Sequence, residues 1–542
     1  MAGARFGAHY ACRCGGTKPC LDSAGTDYPN LPSERMRMAP PTRSMVSNRM
    51  LALIALVFGT LVAAVYLPSV HSLPAADDFM IPAIVRSGSV QSLGEFFWRS
   101  PMNDYRPLQW IVAALALRQA TNTFAALHIL TLVSFIPYAL VLALWIKRLR
   151  FSPVAAACAV AVVFLHPVLA GPLGELDTYG RFLTSAPMWL GVLAADRYAR
   201  RLPIAVVSAM LCLTVALGFT EYAVGMVAMA PIAVYFQRSE RRVMGAAIMG
   251  TALVAVVAVY LGMRHVAING AASVPTDAIN NATSGTIALN PIAWARNIAM
   301  MTAALFYPGN TIEIALGTGL GRYLLLAAGC GVLAAWICTG LWFSRRPSDL
   351  PDDAPVPYLL ALLFASHAPM FARTHVSEIY PTAPIFAVGL IAGRAAEGWM
   401  ARKGSRSAGF ATLAAIMVWG LVSATSKQQA IAARGVRADR LIQSLLAQVP
   451  PDIRDTTVWL AFPSEGPRYS TFVLGDEFLI QPEGPAQFAS EWFWPARSIR
   501  LRHVIGEPTG AQSDIVLCWS ASRSNFSRSS DGTCPSRVGS AN

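Results

Sequence analysis

The chain reads as an all-α polytopic membrane protein with a small extracytoplasmic α/β domain at its carboxyl end. Three observations predict this. Hydrophobic residues fill 54% of 542 positions and charged residues only 13%, giving a mean hydropathy of +0.46, well above that of a water-soluble chain. Apolar runs recur at the length a bilayer demands, about 20 residues and about 17 at the short end. The basic residues gather in short tufts between alternate runs, as the positive-inside rule requires.

The net charge of +13 would suggest nucleic acid in a soluble protein. Here the tufts account for it as topology, so no nucleic-acid partner is expected and a lipid bilayer is. Residues 1–50 are polar, basic and rich in Pro, Gly and Ser, a composition that reads as a disordered cytoplasmic tail. His9, Cys12, Cys14 and Cys20 match no common zinc spacing, so no metal site is assigned there.

The transmembrane domain is expected over 51–425. Its first span runs from Leu51 to Leu67, behind Arg43 and Arg49, which places the amino end in the cytoplasm. The apolar stretch from Pro107 to Leu117 is too short to span and fits an interfacial helix. Further runs follow near 124–145, 151–168, 182–197, 203–219, 222–236, 244–262, 323–343, 356–372, 380–395 and 408–425, making about eleven spans. The tufts at Lys147–Arg150, Arg197–Arg201, Arg238–Arg242, Arg345–Arg346 and Arg394–Arg406 then all fall inside, and the carboxyl terminus outside. Segment 291–308 is open between a span and an interfacial helix.

From 426 to 542 the composition turns soluble. Ser426–Val449 reads as an amphipathic helix, and 456–462 and 514–518 as strands of a small extracytoplasmic α/β domain. Cys518 and Cys534 are available to pair if that domain lies in an oxidising compartment.

Once the topology is drawn, the ionisable groups outside the tufts share one face. Asp77, Asp78, Asp104 and Arg106 follow the first span, and His128 opens the second. His166, Glu175, Asp177 and Arg181 join the third and fourth, Glu221 the fifth and sixth, and Glu378 with Tyr380 the ninth and tenth. Carboxylates and guanidinium groups at the lip of a bundle suit transfer chemistry on a lipid phosphate. An acid accepts a proton from an attacking hydroxyl, and an arginine meets charge on the departing phosphate. The bland alternative for the acid pair is a helix cap near Phe79.

These residues resemble the GT-C class of membrane glycosyltransferases, in particular bacterial relatives of protein O-mannosyltransferases. The likeness is carried by Asp77-Asp78, Tyr105-Arg106-Pro107-Leu108, His128, His166-Pro167-Val168, Gly180-Arg181, Thr220-Glu221-Tyr222 and Ser377-Glu378-Ile379-Tyr380. Thr220 stands where the family has lysine and Ile379 where it has arginine, and the tail lacks a tetratricopeptide period. The resemblance implies a polyprenyl-phosphate-sugar donor, an extracytoplasmic hydroxyl acceptor (protein, lipid or envelope glycan) and a bacterial plasma-membrane location. It implies Asp77 and Asp78 as the catalytic pair, with Asp77 favoured as base. Tyr105, Arg106, His128, His166, Arg181, Glu221, Glu378 and Tyr380 become the donor-phosphate and substrate-binding set. A divalent cation stays open as cofactor. Two other readings stay open as well: a sugar-lipid transporter or flippase, and a non-catalytic envelope-assembly protein on the same scaffold.

Overall fold

The computed structural model describes residues 45–74, 76–86, 92–100, 105–118, 120–176, 178–238, 240–269, 290–316, 319–344, 355–371, 377, 380–462, 492–494, 497–505, 515–520, 525–529 and 534. The basic amino-terminal tail with His9, Cys12, Cys14 and Cys20 lies outside these residues, as do Asp104, Asp177, Glu378 and the side chain of Asp77.

Helix dominates. In chain order come α1 (Asn48–Tyr66), α2 (Met80–Arg86), α3 (Pro107–Leu117), α4 (Thr123–Arg148), α5 (Pro153–Phe164) and α6 (Ala170–Gly174). Next are α7 (Tyr179–Arg197), α8 (Leu202–Phe219), α9 (Met226–Gln237), α10 (Arg242–Asn269) and α11 (Pro291–Phe306). The last are α12 (Thr311–Leu316), α13 (Gly321–Phe343), α14 (Val356–Phe371), α15 (Thr382–Ala401) and α16 (Arg406–Gln448). Helix occupies every apolar run read from the sequence. Among the described residues six helices are long and apolar enough to cross a bilayer, or seven if the bent pair Pro153–Phe164 and Pro167–Gly174 is one span. The protein is therefore a multi-pass helical membrane protein. The short α3 falls on the expected interfacial helix, and α11 covers the ambiguous segment.

Local chemistry sets the helix starts. The side chains of Ser47, Asn122, Ser152 and Asn290 accept from the backbone N–H groups of Met50, Ala125, Ala155 and Ile292, supplying acceptors to first-turn donors that have no partner within their helix. Pro107, Pro153 and Pro291 sit at the first helical position, where a missing N–H costs nothing.

The centre of the bundle is aromatic. Trp189 of α7 stacks on Phe386 of α15 with centroids 4.5 Å apart, and Trp145 of α4 meets Trp189 edge-on. The indole N–H groups of Trp189 and Trp145 donate to the carbonyls of Ala383 and Trp189, so neither buried donor is stranded. Small residues bring α5 and α15 together: a Cβ on Gly389 would collide with Val163 Cγ2, so the approach is one that glycine permits. Facing outward, Leu56, Leu211 and Val259 are more than half exposed, the apolar surface that lipid covers.

The carboxyl-terminal region is tied into this bundle. The boundary expected at 425/426 falls inside α16, a single 43-residue helix. No proline interrupts it, and its buried positions continue through Lys427, Ile431, Arg434, Ala438, Leu441 and Leu445, a three-and-four spacing that keeps one face inward. Beyond it lies a four-stranded sheet in the order β2-β1-β3-β4: β1 (Thr457–Phe462), β2 (Arg500–Ile505), β3 (Ile515–Ser520) and β4 (Asn525–Arg528). β1 pairs in parallel with β2 and β3, and β3 antiparallel with β4. Two of these strands are those the sequence predicts. Cys518 and Cys534 form a disulfide with Cα atoms 5.5 Å apart. Leu441, Ile442 and Leu445 of α16 pack with Val458, Leu460, Leu501, Leu517 and Phe526 of the sheet, and Phe79 joins the same cluster.

Candidate functional site

Three junctions between helices build the site. The first is the acid turn. After α1 the chain passes Pro68 and Pro74 into a 3₁₀ turn, Ala76–Phe79, that leads into α2. Asp78 is buried, and its Oδ1 accepts from the backbone N–H of Leu176 at 3.2 Å. This hydrogen bond is tertiary, spanning 98 positions of sequence, so Asp78 is more than a local cap.

The second junction runs from α6 to α7 and supplies that N–H. The Thr178 hydroxyl lies 2.8 Å from the carbonyl oxygens of both Pro172 and Glu175, folding 172–178 into a tight loop. Glu175 is buried, and its two carboxylate oxygens each lie 2.7 Å from Nη2 of Arg434 on α16. Arg181 follows in the first turn of α7, where its backbone N–H donates to the Thr178 carbonyl.

The third junction is the turn from α8 to α9. Thr220 is extended at φ −155°, and a 3₁₀ turn, Glu221–Gly225, follows. Glu221 receives the Arg106 guanidinium as a fork, Nε to Oε2 at 3.3 Å and Nη2 to Oε1 at 3.4 Å. The next residue, Tyr222, faces Arg181. The Arg181 guanidinium carbon lies 4.5 Å from the Tyr222 ring centroid and 4.8 Å from that of Tyr380, a cation held against two aromatic faces.

Arg181 is only 9% exposed, and its Nη1 has no hydrogen-bond partner. Among the described residues no carboxylate pairs with it. It lines a narrow cleft together with the hydroxyl-bearing Thr184, Ser185, Thr220, Ser366 and Thr382. A buried guanidinium with an open donor, ringed by hydroxyls, suits an anionic group.

Of the residues expected at the site, Arg106, Arg181, Glu221 and Tyr380 thus come together, with Tyr222 between them. Asp78 reaches this group through the 172–181 loop. Tyr105 has a scaffolding position: its hydroxyl donates to the Phe97 carbonyl and its own carbonyl accepts from Tyr260. Burial raises its phenol pKa. His128 and His166 are both buried. His166 Nδ1 accepts from the Val168 N–H and caps the turn that follows. Among the described residues neither histidine forms a hydrogen bond or ion pair with Asp78, Arg106 or Arg181. No group of three or more His, Cys, Asp or Glu residues is placed to hold a metal ion among the described residues.

Sequence reasoning missed Arg434 and Lys427. Lys427 is fully buried and donates to Thr311 Oγ1 at 2.9 Å. The signal was present: two cations seven positions apart on the apolar face of a helix are two turns apart on one side. No protein-family model matches the chain, and no curated protein shows significant similarity to it.

Proposed function

We propose that the protein is an integral-membrane glycosyltransferase that moves a sugar from a polyprenyl-phosphate donor to an extracytoplasmic hydroxyl acceptor. The observation that carries this reading is Arg181: a buried cation with an open donor, clamped between Tyr222 and Tyr380 at a cleft, one short loop from the buried carboxylate of Asp78.

In this reading the donor phosphate sits at headgroup level with an oxygen toward Arg181, and its lipid tail lies against the apolar outer faces of the bundle. The acceptor hydroxyl oxygen attacks the anomeric carbon. The bond from that carbon to the phosphate oxygen breaks, and the electron pair leaves with the lipid phosphate. A carboxylate of the Asp77-Asp78 pair takes the hydroxyl proton, while Arg181 meets the charge that grows on the phosphate. Arg106 is paired with Glu221 and holds the α8–α9 turn, and with it Tyr222, against Arg181.

The same reading puts about eleven spans in a bacterial plasma membrane, the amino end inside and the carboxyl-terminal sheet outside. The alternating basic tufts support it, as does the Cys518–Cys534 disulfide, a bond that persists in oxidising compartments.

Incubating the purified protein with a panel of polyprenyl-phosphate sugars tests the proposal. Release of free lipid phosphate together with a glycosylated acceptor is expected. Movement of intact donor across a vesicle membrane without lipid-phosphate release would identify a transporter instead.

A further inference from the structure

We propose that Arg434, on the helix that carries the carboxyl-terminal sheet, is a positioning residue for the carboxylate of Asp78. The inference rests on the transferase reading only in making Asp78 part of the chemistry; the contacts are independent of it.

The link runs through one peptide unit. The N–H of Leu176 donates to Asp78 Oδ1, and the carbonyl on the other side of that peptide bond, Glu175 O, accepts from the Thr178 hydroxyl. A peptide group is planar, so fixing its carbonyl fixes the direction of its N–H. Glu175 itself is held through its backbone and through its side chain. Its backbone N–H donates to the Gly171 carbonyl, and its carboxylate binds Arg434 Nη2 with both oxygens at 2.7 Å, each side chain only 7% exposed. A charge-assisted contact with so little water is stiff, because drawing opposite charges apart in a low-dielectric interior is costly.

The same stretch of α16 grips the acid turn from its other side. At Gly435 a Cβ would run into the carbonyl oxygen of Leu73, so glycine is required for the helix backbone to lie against the chain entering the turn. A glycine in mid-helix costs about 1 kcal/mol relative to alanine, which makes the close approach a feature the fold retains at some expense. Further along the helix, Leu441, Ile442 and Leu445 share a cluster with Phe79, the neighbour of Asp78. Helix α16 therefore touches the residues before the acids, the residue after them, and the loop that hydrogen-bonds Asp78. It leads on into the sheet.

The test uses the full chain in lipid nanodiscs, with deuterium exchange read on peptides covering 170–181, 76–86 and 190–200. The variants are Arg434→Ala, Arg434→Lys and the double change Glu175→Leu with Arg434→Met, which replaces both charges by apolar groups, a change buried pairs often tolerate. Exchange at the Leu176 amide is expected to quicken about tenfold or more in Arg434→Ala and in the double variant, and to stay near wild type in Arg434→Lys. The 190–200 peptide reports that the bundle is intact; if Arg434→Ala alone disturbs it, the double variant decides. In the transfer assay the same changes lower kcat by about 10–100-fold with donor KM unchanged, and Arg434→Lys recovers most of the loss. Leu176 protection unchanged in the double variant would overturn the proposal. Because exchange needs no turnover, a wild type that transfers no sugar would defeat the transferase reading alone, and normal transfer with unaltered exchange would defeat the positioning role alone.

Discussion

Helix α7 carries a buried charge at each end, and the two ends differ in how that charge is treated. In its last turn, Asp196 accepts from Arg148 of α4, from Gln237 of α9 at 2.8 Å and from Tyr358 of α14 at 3.0 Å. Four helices meet there, and both carboxylate oxygens are satisfied. In its first turn, about 22 Å away along the helix, Arg181 has two tyrosine faces, an unpartnered Nη1 and a cleft. A folding device consumes its hydrogen-bonding capacity internally, since a half-satisfied buried network is worse than an apolar one. A binding site leaves some of it open for a ligand. The contrast separates a charge whose partners are all within the bundle from one that keeps a donor open, with no appeal to resemblance.

The comparison breaks first at the acid beside the open end. In at least one of Asp77→Asn and Asp78→Asn, transfer is expected to fall by about 10²–10⁴-fold, the usual worth of a general base, while donor binding persists; the measurement is lipid-phosphate release against bound donor. If Asp78→Asn and Asp77→Asn both turn over like wild type, neither acid is the base, and Asp104, Glu175 or Glu221 becomes the group to test.

Arg181→Ala comes next, with a loss of about 10²–10³-fold in kcat/KM, as for removal of one donor to a developing anion. The thermal midpoint should hardly move. Asp196→Ala should do the reverse, costing about 1–3 kcal/mol because Gln237 and Tyr358 lose their buried acceptor, with activity per folded molecule unchanged. Equal effects of the two variants on stability and on turnover would erase the distinction between the ends of α7.

A smaller effect sharpens it. Arg106 already has Glu221 as partner, so Arg106→Lys should keep the charge, lose the planar fork and lower turnover by about 10-fold or less through the Tyr222 turn. Arg241→Ala, expected at the cytoplasmic side, should leave transfer unaltered. The smallest effect concerns topology alone: a single cysteine at the exposed position of Asp452 should react with an impermeant reagent added to intact cells, with no change in activity. Protection of that position would put the carboxyl-terminal sheet, and the proposed site, on the other face.

Much of the fold is legible in the chain itself. Apolar length gives the helices, the Ser, Asn and Pro signals give their starts, and short continuous apolar runs give the strands at 457–462 and 515–520, because each of these is decided within a turn or two of chain. The candidate site is legible as a set of residue types at one set of junctions, since charge is expelled from hydrocarbon and collects where spans end. The pairings within that set are not. Asp78 to Leu176 crosses 98 positions, Arg106 to Glu221 crosses 115 and Glu175 to Arg434 crosses 259. Nothing local encodes such distances.

The sequence by itself therefore determined a multi-pass helical bundle, the side chains available at its junctions, and the inward face of the long final helix. Tertiary structure alone decided that Arg106 is neutralised by Glu221 while Arg181 is left against two tyrosines, and that α16 runs unbroken past residue 426. It also decided that α16 delivers Arg434 to Glu175. The physical reason is that periodicity fixes which face of an element is buried, whereas the partner met on that face depends on how closely whole helices approach. That approach is set at contacts such as Gly389 against Val163 and Gly435 against Leu73, where the absence of one carbon brings together segments hundreds of residues apart.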